Sequence, residues 1–148
     1  MIPDFDSYGN LPPGVHWATW QELSSLFGIT DHRRRLLRGF KLALDALQTA
    51  GCTTVYIDGS FVTSKQVPND YDACWDTAGV DIQLLYTIEP ILFIFSHGRA
   101  AQKAKYLGEF FPADSKEHGT GRTFLDFFQI DKETGNQKGI IALDLRRL

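Results

Sequence analysis

The sequence predicts a single mixed α/β (α+β) domain over residues 1–148, with a sheet of about four or five strands flanked by helices. Two observations favour this class: one long segment has helical spacing of leucines, and several short runs rich in β-branched and aromatic residues alternate with helical patterns. The chain is 43% hydrophobic and 13% aromatic, which suffices for one packed core. We therefore expect one domain that folds alone.

The N-terminal segment, residues 1–16, is rich in proline and glycine and is predicted to be an irregular arm that crosses the domain or packs on a neighbour. The segment 19–28 has the spacing of a capping box, with Thr19 followed three residues later by Glu22, and it ends at Gly28. A helix of about two turns is expected there.

The segment 30–51 is the clearest helix, because its leucines recur at helical spacing and Gly51 follows as a stop signal. The segment 78–88 fits a helix or a strand, and a helix is favoured. The apolar run 90–95 suits a buried strand or a buried helical segment, and 98–111 is predicted to be helical throughout.

Four later segments are predicted strands. Residues 53–60 and 70–76 are β-branched and aromatic runs separated by a linker. The segments 123–130 and 139–145 flank a tight turn and are predicted to pair as a hairpin, which places Asp126 within a strand.

The net charge of −3 argues against wrapping of long nucleic acid by bulk electrostatics. Cys52 and Cys74 lack the spacing of a metal or redox motif, and their apolar surroundings favour buried thiols in a cytoplasmic protein. The longest apolar run, 90–95, is too short to cross a bilayer, so neither a membrane nor an export role is expected. The four histidines show no metal-ligand spacing.

Two aspartates begin the strand at 70–76. Side chains at i and i+2 of a strand project to one face, about 6.5 to 7 Å apart, so Asp70 and Asp72 should lie side by side. Two such carboxylates need a nearby cation, and Mg²⁺ commonly takes one or two carboxylates with substrate phosphates. An Asx turn at Asp70 and an edge-strand charge at Asp72 are the structural alternatives.

A third carboxylate, Asp126, lies among phenylalanines and a leucine, which is a costly position for an unpaired charge. If its strand neighbours 70–76, three carboxylates converge as two-metal phosphoryl chemistry requires. Pairing of Asp126 with Arg122 is the structural alternative. Asp81 is the fallback for the third carboxylate.

The turn before these aspartates contains Gly59 and Ser60. Glycine allows close approach of a phosphate to the backbone, and the Ser60 N–H and hydroxyl can donate to its oxygens. Lys65 would add a positive charge to the same triphosphate, although a solvated loop lysine is an ordinary alternative. Asp58 precedes the turn and is interpreted as a turn or capping residue, with a polar role left open. The arginines of "DHRRRLLRG" are a weaker candidate for RNA or phosphate binding.

Gly59 and Ser60, nine intervening residues, Asp70-Tyr71-Asp72 and a later Asp126 resemble the signature of the DNA polymerase beta-like nucleotidyltransferase superfamily, including its minimal nucleotidyltransferases. The resemblance covers about residues 31–130. The arm, with "YIDGSFVT" and "GEFFPA", is similar to a small bacterial and phage-associated family of nucleotidyltransferase-like proteins.

The resemblance implies Mg²⁺ held by Asp70, Asp72 and Asp126, a triphosphate on Gly59 and Ser60, and transfer of a nucleoside monophosphate from an NTP to a hydroxyl. Asp126 would draw the proton from that hydroxyl. The implied acceptor is a protein or an RNA, with a toxin–antitoxin or defence partner, or a homodimer, as further possibilities. The chain departs from the pattern because the loop before the D-x-D motif carries Lys65 and no arginine, and no second domain is evident to hold a large acceptor.

Two other functions stay open at this level. One is a catalytically inactive relative that keeps the fold as a binding or antitoxin module. The other is a glycosyltransferase that uses its D-x-D motif with a nucleotide sugar.

Overall fold

The structure is a computed structural model that describes residues 1–148. It contains five α-helices and one five-stranded mixed sheet, which confirms the predicted fold class. The strands are β1 Gly14–Ala18, β2 Thr54–Asp58, β3 Tyr71–Trp75, β4 Gly108–Pro112 and β5 Gly139–Asp144. The helices are α1 Trp20–Phe27, α2 Asp31–Thr49, α3 Ile82–Ile88, α4 Ser96–Tyr106 and α5 Phe124–Phe127. Short 3₁₀ turns span Ser60–Val62, Pro90–Phe93 and Leu145–Arg147.

The strand order across the sheet is β1-β5-β2-β3-β4. β2 is central and antiparallel to both of its neighbours, β5 and β3. The outer pairs, β1 with β5 and β3 with β4, are parallel. β2 and β3 are therefore consecutive in the chain and adjacent in the sheet, so the 59–70 connection stays at one end of both strands.

Local signals fix the first two helices as the sequence predicts. The Thr19 hydroxyl accepts a hydrogen bond from Glu22 N at 3.1 Å, and Glu22 Oε1 accepts one from Thr19 N at 3.2 Å, so the capping box is present. Thr30 caps α2 in the same way by accepting from Arg33 N.

The sheet has two apolar faces of unequal size. The larger face packs against α1, α2, α3 and α4, and its core includes Phe40 of α2 and Tyr71 of β3, whose rings meet edge to face at 5.0 Å. The smaller face carries Cys74, Phe111 and Ile140 and is covered by α5.

Three secondary-structure predictions are wrong. The predicted helix 98–111 ends at Tyr106, and its last residues form β4. The predicted strand 123–130 contains the helix α5, so the predicted hairpin with 139–145 does not form, and β5 pairs with β1 and β2 instead. The arm predicted to be irregular to residue 16 already enters β1 at Gly14. Of the two alternatives for the run 90–95, the structure shows the helical one, as a 3₁₀ turn at Pro90–Phe93 with Leu92 buried.

The error at 123–130 has a clear physical cause. Thr123 caps α5 by accepting a hydrogen bond from Asp126 N at 3.2 Å. Phe124 and Phe128, four residues apart, then both contact Phe111. The Phe124 ring stacks on it with centroids 4.2 Å apart, and the Phe128 ring meets it edge to face at 5.6 Å. In this helical spacing Asp126 is exposed to solvent, whereas a strand would have buried it among those rings.

Helix α2 approaches α4 closely because residue 39 is a glycine. A Cβ atom at Gly39 would lie 2.6 Å from the carbonyl carbon of Tyr106. The hydroxyl of the buried Tyr71 donates to the Tyr106 carbonyl oxygen at 2.7 Å. Backbone contact at Gly39 therefore holds the end of α4, and with it the start of β4, against β3.

No helix in the chain has both the length and the apolarity needed to cross a bilayer.

We expect Gly39→Ala to destabilise the protein by about 2 kcal/mol, because the steric clash outweighs the gain in helix propensity of about 1 kcal/mol. Urea denaturation measures the change. Arg38→Ala, on the exposed side of the same helix, is the matched control and should change the free energy of unfolding by less than about 0.5 kcal/mol. A Gly39→Ala protein as stable as the wild type would contradict this packing account.

Candidate functional site

Three acidic residues form a row across neighbouring strands. Asp58, the last residue of β2, is paired in register with Asp72 of β3, and Asp72 is paired with Glu109 of β4. Residues in register project to the same face of a sheet, so the three carboxyl groups line one strip at the end of the smaller apolar face. Such a row concentrates negative charge and needs a cation.

Asp58 is the most deeply buried of the three, with 3% of its surface exposed. The Nζ atom of Lys138 lies 3.0 Å from Asp58 Oδ1 and forms an ion pair. That oxygen accepts no directed hydrogen bond, although it is fully enclosed. Burial raises the pKa of Asp58, and the charge of Lys138 opposes this shift. Lys138 is thus the cation that compensates the enclosed Asp58 carboxylate.

Burial raises the pKa of Asp72 to about 7, and the neighbouring carboxylates of Asp58, Glu109 and Asp70 add to the shift. Lys132 opposes it. Near neutral pH this side chain is therefore poised between its two charge states, and a nearby cation would favour the ionised one.

Asp70 precedes β3 and lies beside the row. Burial, followed by the charge of Glu109, raises its pKa. Asp70 nevertheless lines a different cavity from Asp72, together with Arg35 and Lys103. Asp70 itself precedes the strand, and the in-register partner of Asp72 is Asp58.

The third predicted carboxylate does not join the row. Asp126 lies on α5, exposed, in a separate cavity with Arg122 and Gln129. The fallback, Asp81, is the N-cap of α3, where it accepts a hydrogen bond from Leu84 N at 3.0 Å. Convergence of Asp126 with the strand aspartates was therefore a wrong prediction, since it depended on a strand that is a helix.

The turn at Gly59 and Ser60 lies directly beside the row. Gly59 has a φ of 90°, in the left-handed region, and a Cβ atom there would lie 3.1 Å from Asp72 N. Only glycine combines this backbone conformation with so close a contact to β3. The turn consequently keeps its backbone against the Asp72 carboxylate, as the sequence predicted.

A buried arginine holds the segment 59–65, which we call the site loop, in place. Arg33, from the predicted basic run, donates to the carbonyl oxygens of Phe61 at 2.7 Å and Thr63 at 3.3 Å, and to that of Lys65. Its guanidinium also lies 5.0 Å from the Phe61 ring centroid. No carboxylate pairs with Arg33, so its positive charge is used on loop carbonyls. Arg33 is thus a structural residue rather than a phosphate ligand.

Two acids of the row, Asp58 and Asp72, share one polar cavity of about 500 Å³ with the site loop. Four predicted site residues line it, namely Gly59, Ser60, Lys65 and Asp72. Five charged residues from other segments also line it: Asp58, Asp131, Lys132, Glu133 and Lys138. This size lies within the range of small-ligand pockets, and the mixture of buried acids with lysines suits a polyanion bound through a cation.

No group of three histidine, cysteine or acidic side chains lies close enough together to hold a metal ion. The residues nonetheless fit Mg²⁺, because this ion commonly takes one or two carboxylates and completes its shell with phosphate oxygens and water. Asp58 and Asp72 would supply the two carboxylates, and a metal ion at Asp58 Oδ1 would take the place of the Lys138 ammonium.

Sequence reasoning missed Asp58, Glu109 and Lys138 as site residues. Asp58 was interpreted as a turn residue, and Glu109 was placed in a helix. A signal for Asp58 existed, since an acid that ends an apolar strand beside a Gly-Ser turn is unusual. Lys138 carried no signal, because only the pairing of β5 with β2 brings it to Asp58.

Folding favours the protonated form of Asp72, because its pKa rises from the ordinary 3.8 to about 7. The metal-free protein should therefore lose stability as pH increases between these values. We expect Asp72→Asn to be more stable than the wild type at pH 8, on the order of 2 kcal/mol, and equal to it near pH 4. Urea titrations in EDTA at both pH values measure this, and equal stability at pH 8 would contradict the burial argument.

Arg33→Met should destabilise the protein by roughly 3 kcal/mol, because the buried carbonyl oxygens of the site loop would lose their donors. Urea denaturation gives the free energy, and limited proteolysis should show faster cleavage within 59–65. The control is Arg35→Met, an exposed position on the same helix. Equal proteolysis of the two variants would show that Arg33 does not hold the loop.

Comparison with known families gives one result. The model of a family described as a family of unknown function (DUF6932) matches residues 3–144. Neither the curated proteins nor the solved structures give a significant match. The matched region includes every strand and helix described above, as well as the site loop and the acidic row. The chain is therefore a member of the DUF6932 family.

Proposed function

We propose that this protein is a Mg²⁺-dependent nucleotidyltransferase that transfers a nucleoside monophosphate from an NTP to a hydroxyl of a protein or RNA acceptor. The observation that carries the proposal is the in-register pair of the buried Asp58 and the half-buried Asp72 beside the left-handed turn at Gly59, in a cavity that also contains lysines. Buried adjacent carboxylates are unfavourable alone and become favourable with a divalent cation and a polyphosphate.

The chain's own residues would hold the triphosphate. The close backbone at Gly59 and the N–H and hydroxyl groups of Ser60 are suited to donate to phosphate oxygens. Lys65 and Lys132 line the same cavity and supply point charges. Mg²⁺, when bound by Asp58 and Asp72, supplies charge neutralisation at the α-phosphate and the leaving pyrophosphate.

The reaction forms a bond between the acceptor oxygen and the α-phosphorus and breaks the bond from that phosphorus to the β-phosphate bridging oxygen. Pyrophosphate leaves with the bonding electrons, and the acceptor proton passes to a carboxylate. The sequence assigned that role to Asp126, but Glu109 is better placed, because it is in register with Asp72. Lys103 lies 3.2 Å from Glu109 and orients it.

One alternative has a specific observation in its favour. The three acids of the row do not lie close enough together to hold a metal ion, and Lys138 is already paired to Asp58. Both observations suit a module that binds nucleotide without turnover. Mg²⁺-dependent NTP binding without any labelled product would favour this alternative. A toxin–antitoxin or defence partner, suggested by the family resemblance, is compatible with both functions.

Incubation with each α-labelled NTP, Mg²⁺ and a cell extract should label a discrete protein or RNA. The double variant Asp58→Asn with Asp72→Asn should lose this labelling and should weaken Mg²⁺-dependent NTP binding roughly 100-fold, because both candidate ligands lose their charge. Calorimetry with a non-hydrolysable NTP measures the binding. Unchanged affinity in the double variant would refute the metal assignment.

Asp45→Asn, on the exposed side of α2, is the matched control and should retain both binding and labelling. Two further single variants decide the proton acceptor. Glu109→Gln should lower turnover while NTP binding persists, whereas loss of turnover in Asp126→Asn alone would return that role to Asp126.

A further inference from the structure

The N-terminal arm is folded into a tight turn at Asp6–Asn10. Asp6 Oδ1 accepts hydrogen bonds from Tyr8 N at 2.9 Å and Asn10 N at 3.0 Å. The backbone closes the same turn, with Asp6 N donating to Asn10 O at 2.7 Å and Gly9 N donating to Asp6 O at 3.1 Å. We call this segment the arm turn. Its backbone is thus fixed by its own hydrogen bonds.

The arm turn is also tied to both sides of the polar cavity. Ser64 N, in the site loop, donates to Gly9 O at 2.9 Å. Asn10 Nδ2 donates to Asp131 Oδ2 at 3.0 Å, on the loop that carries Lys132 and leads to Lys138. The next residue, Leu11, is buried in the main core. The arm turn therefore forms a wall of the cavity and joins the two loops that supply its lysines.

Tyr8 is the aromatic residue of the arm turn. Its side chain is 74% exposed, yet it lines the same cavity as Ser60 and Lys65. The other two aromatic residues that line the cavity are less available for contact with a ligand. Phe128 is buried against Phe111, and the Phe127 ring already has Lys132 Nζ at 5.6 Å from its centroid. Tyr8 thus offers the cavity an open aromatic face on a fixed backbone.

We propose that Tyr8 stacks on the nucleobase of the NTP whose triphosphate lies on the site loop, so that the arm turn forms the base-binding wall. This inference rests on the proposed function. Every base has a π-face, and stacking on an aromatic side chain is tolerant of base identity but stronger for purines, which have the larger ring system. A base contact on a pre-ordered turn costs little conformational entropy. Tyr8 is in this role a specificity-determining residue for purine NTPs.

The test is calorimetry in Mg²⁺ with non-hydrolysable ATP and CTP analogues and, separately, with inorganic tripolyphosphate. Tyr8→Ala should weaken ATP-analogue binding about tenfold, equivalent to about 1.4 kcal/mol, and CTP-analogue binding less. Tripolyphosphate affinity should not change, because it has no base. Tyr8→Phe keeps the ring and should bind as the wild type does. Tyr86→Ala, an exposed tyrosine on α3, is the control and should bind as the wild type does.

Several outcomes would overturn the inference alone. One is unchanged ATP-analogue affinity in Tyr8→Ala. Another is an equal loss for tripolyphosphate, which would show that Tyr8 supports the site loop instead of the base. A third is a wild-type protein that binds tripolyphosphate as tightly as the ATP analogue. If the wild type binds neither ligand in Mg²⁺, the proposed function and this inference fail together.

Discussion

The burial of two adjacent carboxylates is the constraint on which the rest of this site depends. Asp58 and Asp72 are in register on two adjacent strands, with Asp58 buried and Asp72 half-buried. Their charges are tolerated only with a cation nearby, which in this structure is Lys138 at 3.0 Å from Asp58. A divalent cation would neutralise the same carboxylates. Replacement of the Lys138 ammonium by a metal–phosphate complex beside Asp58 is the physical basis of the proposed chemistry.

The fold serves this pair through three connections. Antiparallel pairing of β2 with β3 sets the two aspartates in register and places the intervening loop at the same end of the sheet. Arg33 holds that loop by its carbonyl oxygens, which leaves Ser60 and Lys65 at the cavity. The parallel addition of β4 brings Glu109 beside Asp72, and this arrangement depends on the close contact of Gly39 with the end of α4. The contacts that stabilise the fold are thus the same ones that position the residues of the proposed site.

Much of the fold and part of the site could be predicted from local signals. Helix caps, leucine spacing and β-branched runs gave α1, α2, β2 and β3, and the Gly59 turn was placed correctly beside Asp72. The errors occurred where local pattern is ambiguous. Phenylalanines around Asp126 suit a strand or a short capped helix, and only packing on Phe111 decides between them. The roles of Glu109 and Lys138 depend on strand pairing between distant segments, which single-sequence patterns do not encode.

The most direct test of the central claim is a crystal structure with Mn²⁺ and a non-hydrolysable NTP, in which anomalous scattering locates the metal. The account predicts an anomalous peak within coordination distance of carboxylate oxygens of both Asp58 and Asp72, with Lys138 moved away from Asp58 and the triphosphate against Gly59 and Ser60. A metal bound elsewhere, or an Asp58–Lys138 ion pair that persists beside bound nucleotide, would contradict it.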